Sequence, residues 1–378
     1  MNKRALIIRN AFSYDFGGAE RYVVNLGCEL RKNDWESIIV SRSNKVLEYA
    51  KENHIKTVRG WWWSKQNWNG KNIVLLPIYA AWQILVFFWY AYLIIKFRPT
   101  VIHPQSRDDF ISATLAGRLF RKRVIWSDHA DLKYVFKNIG VFYKNPIGKF
   151  IFLVSKHVSK IIVVSKRELS LINESTYPRS LNNAVLIYNG ITDKKVTPKR
   201  DFDKTITVFA LTSRLVKTKG IGEIIDASKL LDKNGINHRI LLLGEGPEEA
   251  KFKKQAGKSV VFMGFPDTAL SYVAGADIFV HPSYNEAFSL SLVEAAMLGK
   301  PTIATNVGGN PEIIKDKDTG VLIKPMDVDS LYSALEEAIK NPVKYEMYGK
   351  ALRKSYEKDF QFDRLVKEQL VPLYNSKV

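Results

Sequence analysis

Residues 277–314 read DIFVHPSYNEAFSLSLVEAAMLGKPTIATNVGGNPEII, and this stretch decides the fold. Its opening apolar run is short, uninterrupted and rich in β-branched residues, the pattern of a strand buried on both faces. Ser289 or a residue beside it can open a helix. Leu292, Ala295, Ala296 and Leu298 then keep that helix packed until Gly299 stops it, before Pro301 and the next strand. The result is a strand, loop and helix unit whose helix N-terminus points free N–H groups and a positive dipole end outward, where a phosphate is favoured.

The same alternation of short apolar runs and longer periodic segments continues in both directions. Strands are expected at 5–8, 37–40, 100–103, 123–127, 161–164 and 185–188, and again at 205–210, 239–243, 260–263, 277–280, 302–304 and 321–323. Residues 192–204, TDKKVTPKRDFDK, are charged, hold a proline and lack an apolar period, as an interdomain linker would. The fold class is therefore α/β: two doubly wound Rossmann-like domains, 1–191 and 205–358, facing a central cleft, with ligands beyond the carboxyl ends of the strands. Residues 359–378 form a closing helix able to pack back on the first domain, although Pro372 should bend or end it.

A chain of 378 residues with 46% hydrophobic and 25% charged composition fits two ordinary globular domains. The single cysteine, Cys28, excludes a disulfide scaffold and any multi-cysteine metal site, and suits a reducing, cytoplasmic setting. The first residues carry no apolar run of signal-peptide length, so no export is expected. Charge is one-sided: residues 1–200 hold 33 basic and 14 acidic groups, the whole of the net +19, whereas residues 201–378 hold 24 of each. One half should therefore face a polyanion or an anionic membrane.

Chemistry concentrates in the second half. Glu286 lies in the loop before the helix that Ser289 and Leu290 open, and Glu294 lies within it. Both carboxylates against one phosphate would repel it, so each suits hydroxyls on either side of a diphosphate, the layout a nucleotide sugar needs. On spacing alone a plain loop carboxylate and a solvated helix position remain open. In VFALTSRLVKTKGIGEII, Arg214 and Lys219 follow a strand and can hold a diphosphate, stabilising charge on a leaving group. Lys217 is read as solvated. Gly244 and Gly246, in LLLGEGP, make a tight turn where backbone can approach a flat base.

In this combination the chain resembles glycosyltransferase family 4, the retaining GT-B enzymes of bacterial surface-polysaccharide type that use nucleotide sugars. The motifs are SRLVKTKG, LLLGEGP, FMGF, the 276–314 block with its E-x7-E spacing and TGVLIKP, joined by FGGAERYVVNL, PTVIHPQS, VIWSDHAD, IIVVS and IYNGI in the first half. The resemblance implies that Glu286 holds donor-sugar hydroxyls, Glu294 the ribose, Arg214 and Lys219 the diphosphate, and N–H groups near Ser289 and Leu290 the remaining anionic oxygens. It further implies that Gly17 and Gly18 let a loop approach phosphates or acceptor, and that His129 contacts the donor sugar near the reacting carbon. His54, His103 and His157 are read as structural. Transfer of a hexosyl or N-acetylhexosaminyl group with retention is expected, by front-face attack in which a donor phosphate oxygen takes the acceptor's proton. No cofactor and no metal are expected, because the Asp-x-Asp strings at 201–203, 316–318 and 327–329 read as turns and caps. Ala287 and Ser289 depart from the glycines common in the family, which narrows the room beside the phosphates. A sugar-nucleotide epimerase on the same fold is the alternative; a basic nucleic-acid-binding protein lacks any reading motif.

Residues 73–95, IVLLPIYAAWQILVFFWYAYLII, run 23 residues without a charge. Pro77, Gln83 and an immediate return into a strand weigh against a full membrane span, so a helix partly embedded in the bilayer surface is favoured over a buried core helix. Trp61, Trp62, Trp63 and Trp68 beside Lys65 and Lys71 suit the headgroup region. Cations at Arg118, Arg121, Lys122, Arg123, Lys133, Lys137, Lys144, Lys149, Lys156 and Lys160 extend the basic face. Peripheral or monotopic attachment at the cytoplasmic face of the membrane is expected, with a nucleotide sugar as donor, a lipid-linked glycan as acceptor and no specific nucleic acid.

Overall fold

The computed structural model describes residues 3–10, 17–62, 74–129, 132–141, 144–177 and 181–376. The chain divides into two units, one of Met1–Ile187 with Asp363–Val378 and one of Tyr188–Phe362. The first holds seven strands: β1 Lys3–Ile8, β2 Trp35–Ser41, β3 Lys56–Arg59, β4 Val101–Pro104, β5 Arg123–Asp128, β6 Lys160–Val163 and β7 Ala184–Leu186. All pair in parallel, in the order β3-β2-β1-β4-β5-β6-β7. The second holds six: β8 Thr207–Thr212, β9 His238–Leu243, β10 Val260–Phe262, β11 Ile278–His281, β12 Thr302–Thr305 and β13 Val321–Ile323. These also run parallel, in the order β10-β9-β8-β11-β12-β13.

Central strands are apolar because helices cover both faces: Ala5, Leu6, Ile7 and Ile8 of β1 and Phe209, Ala210 and Leu211 of β8 are all fully buried. In each sheet the order reverses beside the first strand, between β1 and β4 and between β8 and β11, and such switch points open a crevice at the strands' carboxyl ends.

Only β3 escapes the periodicity, since KTVR is an edge strand with one aliphatic residue and no buried position. Residues 192–204 are no free linker. Lys199 donates its N–H to the Ser271 carbonyl at 2.8 Å, and Arg200 reaches the Asp277 carboxylate at 2.9 Å, so the segment lies on the second unit. Polar contacts hold it, which is why it lacks an apolar period. The tail belongs to the first unit, where the Tyr374 hydroxyl meets the His103 ring at 2.5 Å and the Tyr374 ring packs edge-on against Trp35. One wide turn at Val366–Leu370 precedes Pro372 and accommodates its missing donor.

The apolar stretch becomes the helix Leu76–Phe97. Pro77 sits in its first turn, where a missing N–H costs nothing, and so starts the helix instead of interrupting it. Gln83 is buried, with its side-chain oxygen accepting from Ser112 of the helix Arg107–Leu119. By length and composition alone this helix is able to cross a membrane. One face packs through Val86, Tyr90 and Leu93, while Ile78, Ile84, Phe88 and Ile95 are more than half exposed. The wholly buried alternative therefore fails.

Three further expectations need correction. Trp62 does not face outward: it is 1% exposed and its indole N–H donates to the Asp109 carboxylate at 2.6 Å. Trp61 is 43% exposed against Trp82 and Trp89, and Trp63 and Trp68 lie outside the described residues. Arg123 is buried, and Lys133 pairs with the fully buried Glu168 at 2.6 Å, so neither adds to a basic surface.

Asp109, fully buried, accepts from Trp62 and from the Tyr90 hydroxyl at 2.7 Å. Burial raises its carboxyl to about 7, against the opposing pull of those hydrogen bonds. Its folded value thus lies above the unfolded value of about 3.9. The folded state holds the proton more tightly, so this contribution is complete in acid and is lost as pH rises toward 7, by on the order of 1.4 kcal/mol per pH unit. The first unit should melt at a lower temperature at pH 8 than at pH 5, and Asp109→Asn should flatten the difference. Equal slopes in calorimetry of the two proteins would refute this.

Candidate active site

At the β8/β11 switch point two loops meet. The loop after β8 ends in the short turn Lys217–Lys219, and the loop after β11 carries Glu286. The Tyr284 N–H donates to the Thr218 carbonyl at 2.9 Å and ties them together. One oxygen of Glu286, Oε1, accepts from Lys219 Nζ at 2.5 Å, Ser283 Oγ at 2.8 Å and His281 Nε2 at 3.0 Å. Burial alone would raise this carboxyl. The hydrogen bond and charge of His281 and the Lys219 ammonium outweigh it and hold the group at about 2, so it stays ionised at any working pH. The Lys219 side chain remains 27% exposed, leaving donors for an incoming anion.

The helix Leu290–Met297 follows at once, and Ser289 caps it by accepting from the Leu292 N–H at 3.4 Å. Glu294 stands half-buried within this helix. Arg214 is exposed on the β8 loop, five residues before Lys219. Thus Lys219 and Glu286 touch, and the helix that Ser289 caps begins three residues further along the same loop. Gly308, with φ +52°, packs on that loop: a Cβ there would lie 1.5 Å from the Glu286 carbonyl oxygen. Gly246 also has a packing duty. A Cβ on it would lie 2.3 Å from the Leu215 carbonyl, so its missing side chain serves the packing of two loops.

Sequence reasoning passed over His281 and Ser283. Both end the buried strand DIFVHPS within five residues of Glu286, and that position at a carboxyl strand end was the available signal. One aspartate of each Asp-x-Asp string turns its carboxylate to a backbone N–H group: Asp203 to Thr205, Asp316 to Leu322 and Asp327 to Ser330. Among the described residues no three His, Cys, Asp or Glu side chains gather as a metal-ligand set.

In the first unit the carboxyl ends of β1, β4 and β5 bring Arg9, Gln105 and His129 together. Arg9 donates to the Gln105 carbonyl at 2.8 Å and to Glu20 at 3.1 Å, and His129 Nε2 meets the Gln105 side-chain oxygen at 3.3 Å. Burial first, then the charges of Arg9 and His103, push the His129 imidazole down to about 3, so it is neutral. Gly17 and Gly18 begin the helix Gly18–Lys32 at this edge, and the Gly17 N–H donates to Glu20 at 3.2 Å. His103 is buried between Tyr374 and Ser127, a structural histidine as expected.

Two family models match consecutive parts of the chain: Glycosyltransferase Family 4 over residues 16–195 and Glycosyl transferases group 1 over residues 193–355. The chain belongs to glycosyltransferase family 4. Among related proteins, an uncharacterized glycosyltransferase of Methanocaldococcus jannaschii is 29% identical over 70% of this chain and 72% of its own. One subunit of the phosphatidylinositol N-acetylglucosaminyltransferase of Arabidopsis thaliana is 25% identical over 89% of this chain and 74% of its own. Anabaena HepE, solved with UDP and glucose, superposes with a TM-score of 0.77 at 17% identity, covering 99% of this chain and all of HepE. This family 4 chain accordingly has the GT-B fold and is a glycosyltransferase.

Proposed function

We propose that the enzyme moves a hexosyl or N-acetylhexosaminyl group from a nucleotide-diphosphate sugar to a lipid-linked glycan acceptor, with retention, in cell-surface polysaccharide or glycolipid synthesis. The carrying observation is the Lys219–Glu286 contact on the loop that leads directly into the Ser289-capped helix. Lys219 and the first N–H groups of the helix bind the diphosphate and stabilise charge on the departing phosphate. Glu286, ionised and oriented by His281 and Ser283, accepts from donor-sugar hydroxyls, and Glu294 accepts from the ribose. Neutral His129 hydrogen-bonds the sugar near its anomeric carbon.

The acceptor hydroxyl attacks C1 on the face the diphosphate leaves. Its oxygen forms the new C1–O bond, the C1–O(phosphate) bond breaks, and the hydroxyl proton passes to a phosphate oxygen of the departing nucleotide. No metal is needed, because Lys219 and the helix start supply the positive charge.

The relative acting on phosphatidylinositol supports a lipid acceptor, and the basic first half supports docking on the cytoplasmic face of an anionic membrane. The test is a panel of UDP- and GDP-sugars with membrane lipid extract, read by nucleotide release and product mass. Release should require the extract and persist in EDTA. Equal release without acceptor would defeat the transferase reading, and loss in EDTA would defeat the metal-free one.

A further inference from the structure

The helices Leu76–Phe97, Arg107–Leu119 and Pro146–Ser155 lie side by side on one face of the first sheet. Between them runs a groove of about 560 Å³. Ala80, Ile84 and Phe88 form one wall, Ile147 and Phe150 the other, and Leu115 rises from the floor. The floor's polar pair, Gln83 and Ser112, is satisfied internally, Ser112 donating to Gln83. Tyr79 also lines the groove but is only 9% exposed, so the lining offers a ligand mostly carbon.

Around the groove Ile84, Leu85, Phe88, Leu119, Phe150 and Leu153 are each 47% exposed or more. Neither the first nor the third helix contains an acidic residue. Because β4, β5 and β6 follow these helices and run parallel, the three C-terminal ends lie together at the sheet's amino edge, where Arg118 contacts the His157 ring. Lys96, Arg98, Arg118, Arg121 and Lys156 are exposed at those ends, and Lys137 and Lys144 are exposed just before the third helix. An apolar plate edged by cations at both ends matches an anionic leaflet in chemistry and in charge.

We propose that the plate lies on the leaflet and that the groove takes one hydrocarbon chain of a bilayer lipid. The proposal rests on the membrane attachment put forward above. A plate pressed on lipid leaves the groove either wet or filled, and an apolar slot excludes water. A chain from the leaflet fills it without exposing any polar group.

The probe is a vesicle of phosphatidylcholine and phosphatidylglycerol carrying a phosphatidylcholine with a diazirine on its chain end. After flotation and illumination, the whole protein is digested and the labelled peptides are mapped. Wild type should float and be labelled within residues 79–88 and 111–115. Leu115→Trp, which fills the groove, should float equally and lose about tenfold of that labelling; Ala80→Trp, from the wall that the first helix forms, should do the same. Label confined elsewhere, or undiminished in both variants, overturns the groove and leaves membrane attachment standing. Failure to float overturns both. A dimer that protects these helices from hydrogen exchange in the presence of vesicles would also overturn it, in favour of a second copy as the occupant.

Discussion

Lys219→Ala should lower turnover by roughly 10²- to 10³-fold, the usual cost of deleting one preorganised group that stabilises developing charge. The fold should survive, because Lys219 is partly exposed and ends a three-residue turn. Glu286 would keep Ser283 and His281 as partners and stay ionised near neutral pH. Glu286→Ala should reduce turnover as severely, whereas Glu286→Gln, which keeps an acceptor oxygen, should be milder. Matching the donor KM and kcat of the three variants against circular dichroism and melting separates chemistry from folding. Near-normal turnover in both alanine variants would remove the site assignment.

Gly308→Ala should cost the second unit on the order of 3 kcal/mol, through backbone strain and an overlap that must be relieved. A methyl 1.5 Å from the Glu286 carbonyl forces the loop to move, so the protein that stays folded should also lose activity. Gly235→Ala is the comparison. Its φ of +69° is similar, yet nothing lies within 4 Å of the added carbon. It should carry the left-handed backbone cost alone, about 1–2 kcal/mol, and keep full activity. Equal melting temperatures for the two variants would show that close approach at Gly308 has no energetic weight.

Much of the fold was legible because a parallel strand covered on both faces must be apolar along its length. β1, β8 and β11 announce themselves for that reason, and β3 does not, because an edge strand has less to bury. Residues 192–204 misled in the same way: a segment bound to its unit by Arg200 and backbone groups carries no hydrophobic signature. The pairing of Glu286 with Lys219, 67 residues away, was expected only as two residues near one cleft. Their direct contact depends on β8 and β11 being neighbours.

The tryptophans show the limit most clearly. Four indoles beside lysines compose a membrane-surface pattern, yet Trp62 turns inward because the buried Asp109 needs a donor. Composition and periodicity, being local, determined every strand but β3, the two-unit layout and the basic first half, and the family came from the resemblance of short motifs such as SRLVKTKG and LLLGEGP. Tertiary structure alone decided which indole faces out, which glycine serves packing and which side chains surround Glu286. Those outcomes depend on contacts between residues far apart in the chain, and a sequence pattern read one segment at a time carries no record of them.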